Sequence, residues 1–396
     1  MIELLRRKTK YIITALISVI LTLIIVTLVL CIDLTRLPEQ LSLLRKMAMV
    51  DSVTAHNSIT EYDYNFAKDY AATGYMAALT DDDYAYYLSN ESQKEHKEDL
   101  NGESFGIGIN IAVNPDTNYV TVVYVHNNGN AKSAGLKIGD ALIKCDDEDL
   151  SKKSASEVNE LIKGEDGTKR KLTILRNGKE QIITATCSDY ISDSVNSRTI
   201  DNIGIIEITE FDYATTAQFE DALKQLEAKK VSGVIIDLRN NSGGTVDSCT
   251  EILDILLPKG EIIRAKYKNG DVVTLAESDD SCNNIPLTVL VNENSASASE
   301  LFATAIKDFN RGKIVGTKTF GKGIMQTTFG LLDGSAVKMT VAEMIDKNSN
   351  TYHKKGVTPN VEATLDEELA SKFLFLTDLQ DTQLKTAIDT LKSEIK

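Results

Sequence analysis

Residues 286–309 read PLTVLVNENSASASELFATAIKDF. A short apolar run gives way to a turn of small and polar residues, after which Leu301, Ala305 and Phe309 recur at helical spacing. A buried strand feeding a helix through a tight turn is the repeating unit of an α/β layer. Two more such units precede it. IGIIEITEF (203–211) leads into YATTAQFEDALKQLEAKK (213–230), whose helix Thr215 or Thr216 is placed to cap, and VSGVIIDLR (231–239) passes through NNSGG (240–244) into VDSCTEILDILL (246–257). Residues 313–332 and 335–344 add strands, so the chain from 189 to 366 reads as an α/β core with ligands expected at its strand-to-helix turns.

Upstream the texture differs. Residues 104–188 carry short strands with Gly and Asn turns, among them a hairpin around Asn177-Gly178 and a helix opened by Ser154 or Ser156. This predicts a compact β-rich module over 99–188. Residues 32–98 and 367–396 read as helical segments. At the N-terminus Arg6, Arg7, Lys8 and Lys10 precede an uncharged apolar run, residues 11–31. Twenty-one residues at about 1.5 Å per residue span a hydrocarbon core of roughly 30 Å. The basic flank, residues 1–10, predicts a single-pass anchor with the N-terminus inside and everything after Asp33 outside the cytoplasm. A net charge of -15 argues against a nucleic-acid-binding surface, and no nucleic-acid partner is expected. Four cysteines lie beyond the anchor. Cys145 with Cys187 and Cys249 with Cys282 are the pairs an exported chain would form, and small buried hydrophobes are the alternative.

Three turns carry candidate chemistry. In NENSASASE, Ser295, Ser297 and Ser299 stand where a helix N-terminus offers unpaired amides to a developing oxyanion. Ser297-x-x-Glu300 also matches a capping box, which would make the serine purely structural. In TFGKGIMQ (319–326), Lys322 lies between two glycines at the entry to an apolar strand, with Gln326 four residues on. A serine nucleophile needs a base, no histidine of the four lies nearby in sequence, and a desolvated lysine can serve. In DLRNNSGGTVD (237–247), Gly243 and Gly244 can present bare N–H groups; a phosphate loop is excluded because no Gly-Lys-Ser/Thr follows.

Taken together and in this order, the three motifs resemble the carboxyl-terminal processing peptidases, the tail-specific proteases of family S41. ATGYMAALTDDDYAYYLSNE (72–91) is similar to the family's helical lead-in, and FGIGI (105–109) through SAGLKIGDALIKCDDEDL (133–150) to its PDZ domain. Ile138 and Ser242 stand where the family usually has proline. The resemblance implies a protease core of the crotonase and Clp-protease shape with an inserted PDZ domain. It implies a Ser-Lys dyad of Ser297 and Lys322, supported by Gln326, with oxyanion donors on Ala298 and the Gly243-Gly244 pair. No metal or organic cofactor is implied. The expected partners are C-terminal tails of proteins, bound by PDZ residues Phe105, Gly106, Ile107 and Gly108, and a second copy through the helical terminal regions. A catalytically silent PDZ-bearing scaffold is the competing expectation, and an acyl-CoA enzyme on the same core a third.

Overall fold

The computed structural model describes Ile17, Val19, residues 37–61 and residues 63–395. The expected anchor at 11–31 therefore lies outside the described residues except at two positions. Among the described residues, no helix is long and apolar enough to cross a membrane. The residues up to Lys68 and those from Asp69 on form two units. In the first, the helix Leu37–Asn57 buries none of its residues.

The second unit is built on a six-stranded sheet in the order Val195–Ile200, Ile203–Ile208, Gly233–Asp237, Leu287–Val291, Gly312–Gly316, Val361–Glu362. The first pair is antiparallel and the other four are parallel. Its two central strands, Gly233–Asp237 and Leu287–Val291, are buried along their whole length because both faces are covered. Ile206, Ile208, Val234, Ile236, Val289 and Val291 pack with Phe219, Leu253 and Leu301 of the helices Thr215–Ala228, Val246–Leu256 and Ala298–Asp308. The alternate residues Ile205, Ile235, Leu290 and Val315 meet Leu384, Ala387 and Leu391 of the C-terminal helix Thr382–Glu394. The expected tail helix is thus the cover of the sheet's second face.

A buried ion cluster fastens that cover. Arg239, just past the strand Gly233–Asp237, donates to Asp237 (Nη2 to Oδ2, 2.7 Å) and to Asp381 (2.8 and 3.0 Å), and its guanidinium lies over Phe373. Asp381 also caps the helix by accepting the Leu384 N–H.

The β-rich module has a separate core of Val122, Leu142, Leu172, Ile174 and Val158, among others. Strands Lys169–Arg176 and Lys179–Thr186 form the expected hairpin, with Asn177 and Gly178 both at positive φ (53° and 73°). Ser154 caps the helix Ala155–Ile162 in a complete capping box. The expected cap of the helix Thr215–Ala228 differs: Thr215 is its first residue, and Asp212 accepts the Ala214 N–H and the Thr215 hydroxyl instead. Cys145, Cys187, Cys249 and Cys282 are free thiols, three of them buried.

Candidate active site

The three serines of the 292–299 turn have different fates. Ser295 is fully buried; its hydroxyl donates to the Leu238 carbonyl (2.7 Å) and accepts the Asn292 N–H (2.9 Å). Ser299 is equally buried and donates to the Asn241 carbonyl (3.0 Å). Both hydroxyls are consumed in tying the turn to the neighbouring glycine loop. Ser297 is the partly exposed member, and it opens the helix in a capping box with Glu300. Its backbone sits at φ 56°, ψ −113°, a conformation that non-glycine residues avoid and that lifts the side chain at a strand-to-helix turn.

Glu300 is the residue whose full part the sequence did not reveal. It stands in the capping-box position, and its Oε2 accepts the Ser297 N–H (3.0 Å). The same oxygen accepts the Lys322 N–H (2.7 Å), while Oε1 accepts the Gly321 N–H and the Thr319 hydroxyl (both 2.6 Å). One wholly buried carboxylate thereby joins the serine turn to the lysine loop across 22 residues of sequence. A further bond from the Phe320 N–H to the Ser295 carbonyl (3.1 Å) runs beside it. A capping signature read from spacing alone gives no hint of the second loop, because the donors come from elsewhere in the chain.

On the other side of Ser297 lies the glycine pair. A Cβ on Gly243 would fall 2.7 Å from the Ser297 Cβ, so only glycine fits there. The Gly243 N–H is given to Asn241 Oδ1 (2.8 Å), whereas the N–H groups of Gly244 and Ala298 have no partner among the described residues. Gly244 takes φ 138° against the backbone of Phe211, which a side chain would strike.

Residues 202–363 match the family model described as peptidase family S41, and residues 106–186 that of the PDZ domain. The chain belongs to peptidase family S41. Probable CtpA-like serine proteases of Staphylococcus haemolyticus and Staphylococcus aureus are each 31% identical over 74% of this chain. The chain spans 59% of the length of these curated relatives. Among solved structures, an S41-type protein of Bacteroides fragilis matches 88% of this chain and 97% of its own at a TM-score of 0.57 and 18% identity, which concerns the fold. The photosystem II D1 C-terminal processing protease matches 83% and 91% at 0.49 and 26% identity.

Within this S41 core the lysine is tuned by its surroundings. Burial pushes the Lys322 pKa below the ordinary lysine range, the Lys338 ammonium adds to that, and Asp82 opposes it. The Lys322 Nζ lies 4.7 Å from the centre of the Tyr84 ring. Gln326 Nε2 donates to the Tyr84 carbonyl (2.6 Å), and no hydrogen bond joins Gln326 to Lys322 among the described residues. In the PDZ domain, Phe105 and Gly106 lie on the strand Glu103–Gly106, paired with Ser188–Ile191. The Ile107 side chain is buried in the module's core, and the Gly108 carbonyl accepts the His126 N–H (3.0 Å). The Ile107 carbonyl likewise accepts the Ala131 N–H (2.7 Å), so the Ile107 side chain and both carbonyls are engaged within the module.

Proposed function

We propose that this chain is a serine endopeptidase working through a Ser297-Lys322 dyad and trimming proteins near their C-termini. The observation that carries the reading is the shared Glu300 carboxylate, which fixes the backbones of both residues within a core of family S41. Neutral Lys322 takes the proton of Ser297 Oγ as that oxygen bonds to the scissile carbonyl carbon and the C=O π pair moves to oxygen. The N–H groups of Ala298 and Gly244 are the open donors for that oxyanion, with Gly243 holding the loop beside Ser297. Collapse expels the amine, which takes the proton from the Lys322 ammonium. Water then hydrolyses the acyl-serine with the lysine again as base. The depressed pKa of Lys322 suits this cycle, since a lysine at about 10.4 would stay protonated near neutral pH.

Ser297→Ala and Lys322→Ala are each expected to abolish peptidase activity while leaving the fold intact. The double variant should be little worse than either single one, because nucleophile and base act as a unit. A Lys322→Ala protein that keeps near-full turnover at neutral pH rules out the dyad. The proposal includes anchoring through residues 11–31 with the catalytic part outside the cytoplasm, supported by the basic flank and the uncharged run. Protease added to intact cells or spheroplasts should then digest the chain beyond Asp33; full protection would exclude that orientation.

A further inference from the structure

Segment 80–88 approaches the lysine loop from far away in sequence and is held there by several independent contacts. Strand Tyr86–Leu88 pairs with the edge of Ala336–Ile345, placing Tyr86 opposite Lys338. Just before it, Asp82 Oδ2 accepts the Thr340 N–H (3.0 Å) and Oδ1 accepts the Tyr84 N–H (3.1 Å). Tyr84 is thereby fixed at both ends. Two side chains converge on it, one from the lysine loop and one from the strand Ile324–Gly330 that follows: Lys322 lays its Nζ over the ring at 4.7 Å, and Gln326 gives its amide to the carbonyl at 2.6 Å.

We propose that Tyr84 is a positioning residue for the base, its ring seating the Lys322 ammonium and its carbonyl fixing Gln326. The inference rests on the Ser-Lys reading above. When Ser297 Oγ gives up its proton and bonds to the substrate carbon, a cation appears on Nζ in a half-buried site. An aromatic face stabilises a cation through its quadrupole without offering a proton acceptor. A carboxylate in the same place would hold the lysine protonated before substrate arrived; a ring stabilises the ammonium only modestly and lets it form and discharge in each cycle. The other charges facing Lys322 are set around this seat. Lys338 on the strand Ala336–Ile345 disfavours the ammonium, Asp82 favours it, and Glu300 is engaged by the lysine's backbone N–H. Lys338 in turn lies 5.7 Å from the Tyr86 ring, so the two lysines rest on two tyrosines of one segment.

The test replaces Tyr84 by phenylalanine and then by phenylalanines of increasing fluorination, which keep the ring's shape while draining its π face. Because activity needs neutral Lys322, kcat/KM rises with pH through that lysine's pKa. A weaker seat destabilises the ammonium and lowers the pKa. The acidic limb should therefore move stepwise to lower pH along the series. The plateau kcat should fall by about threefold to tenfold at full fluorination, with KM within about twofold. In a Ser297→Ala background, carbon NMR of labelled lysine should show the Lys322 titration moving the same way without any need for activity. A limb and a titration that stay fixed across the series overturn the proposal. Retention of activity by Lys322→Ala would instead remove the dyad reading, so the two failures are distinguishable.

Discussion

At Ser297 a non-glycine residue holds φ 56°, ψ −113° because its N–H is drawn to Glu300 and the helix begins at once behind it. Such backbone costs of order 1–3 kcal/mol and persists only where the surroundings enforce it. Ser297→Gly is expected to be inactive and yet more stable than Ser297→Ala, by about 1 kcal/mol in denaturant unfolding. Equal stability of the two variants would show that the turn carries no strain. The neighbouring serines do the opposite work. Their hydroxyls are buried and bonded to the strand end and the glycine loop, so they hold the turn that exposes Ser297.

At the scale of elements, the glycine loop is placed from both sides. The Gly243 carbonyl accepts the Phe211 N–H, and the Thr245 N–H returns to the Phe211 carbonyl. Behind the loop, Arg239 binds Asp237 and Asp381 and so pins the C-terminal helix Thr382–Glu394 to the sheet. Removing one member of a buried ion cluster strands the others, at a cost of about 3–5 kcal/mol. Arg239→Ala should lose that much stability, and amide exchange should accelerate in Thr382–Glu394 more than in the PDZ strands. Unchanged exchange in that helix would mean that apolar packing of Leu384, Ala387 and Leu391 alone retains it.

Over the whole of the second unit, the PDZ module and the S41 core keep separate hydrophobic clusters, in keeping with the proposal that one holds a substrate's tail while the other cleaves. Strand addition beside Ile109–Val113, the sheet-edge strand that follows the 105–108 loop, with the terminal carboxylate on backbone amides of that loop, would select free apolar C-termini. A peptide ending in free Ala or Val is expected to be cleaved with markedly higher kcat/KM than its amide or an Asp-ended version. Deletion of residues 104–188 should erase that difference. Equal turnover of all three peptides by the intact chain would remove tail reading while leaving the Ser-Lys chemistry untouched.

The alternation of strand and helix from 203 to 316, the β-rich module, its hairpin at Asn177-Gly178 and the three candidate loops were legible in the sequence, whereas the strands Tyr86–Leu88, Val195–Ile200, Gly260–Tyr267 and Val272–Ser278 were not. Each legible feature depends on local chemistry: apolar period, turn residues with positive φ, small residues at helix starts. The choice among the three serines was legible only by family resemblance, since their local patterns are nearly alike. Tertiary structure alone distinguishes them, by burying Ser295 and Ser299 against carbonyls of another strand's loop. It alone also made Glu300 more than a cap, brought Tyr84 to a lysine 238 positions away, and turned a polar C-terminal segment into the cover of a sheet face. These contacts join donors and acceptors from distant segments, and nothing in the spacing of residues along the chain encodes which carboxylate, ring or carbonyl will be waiting on the other side.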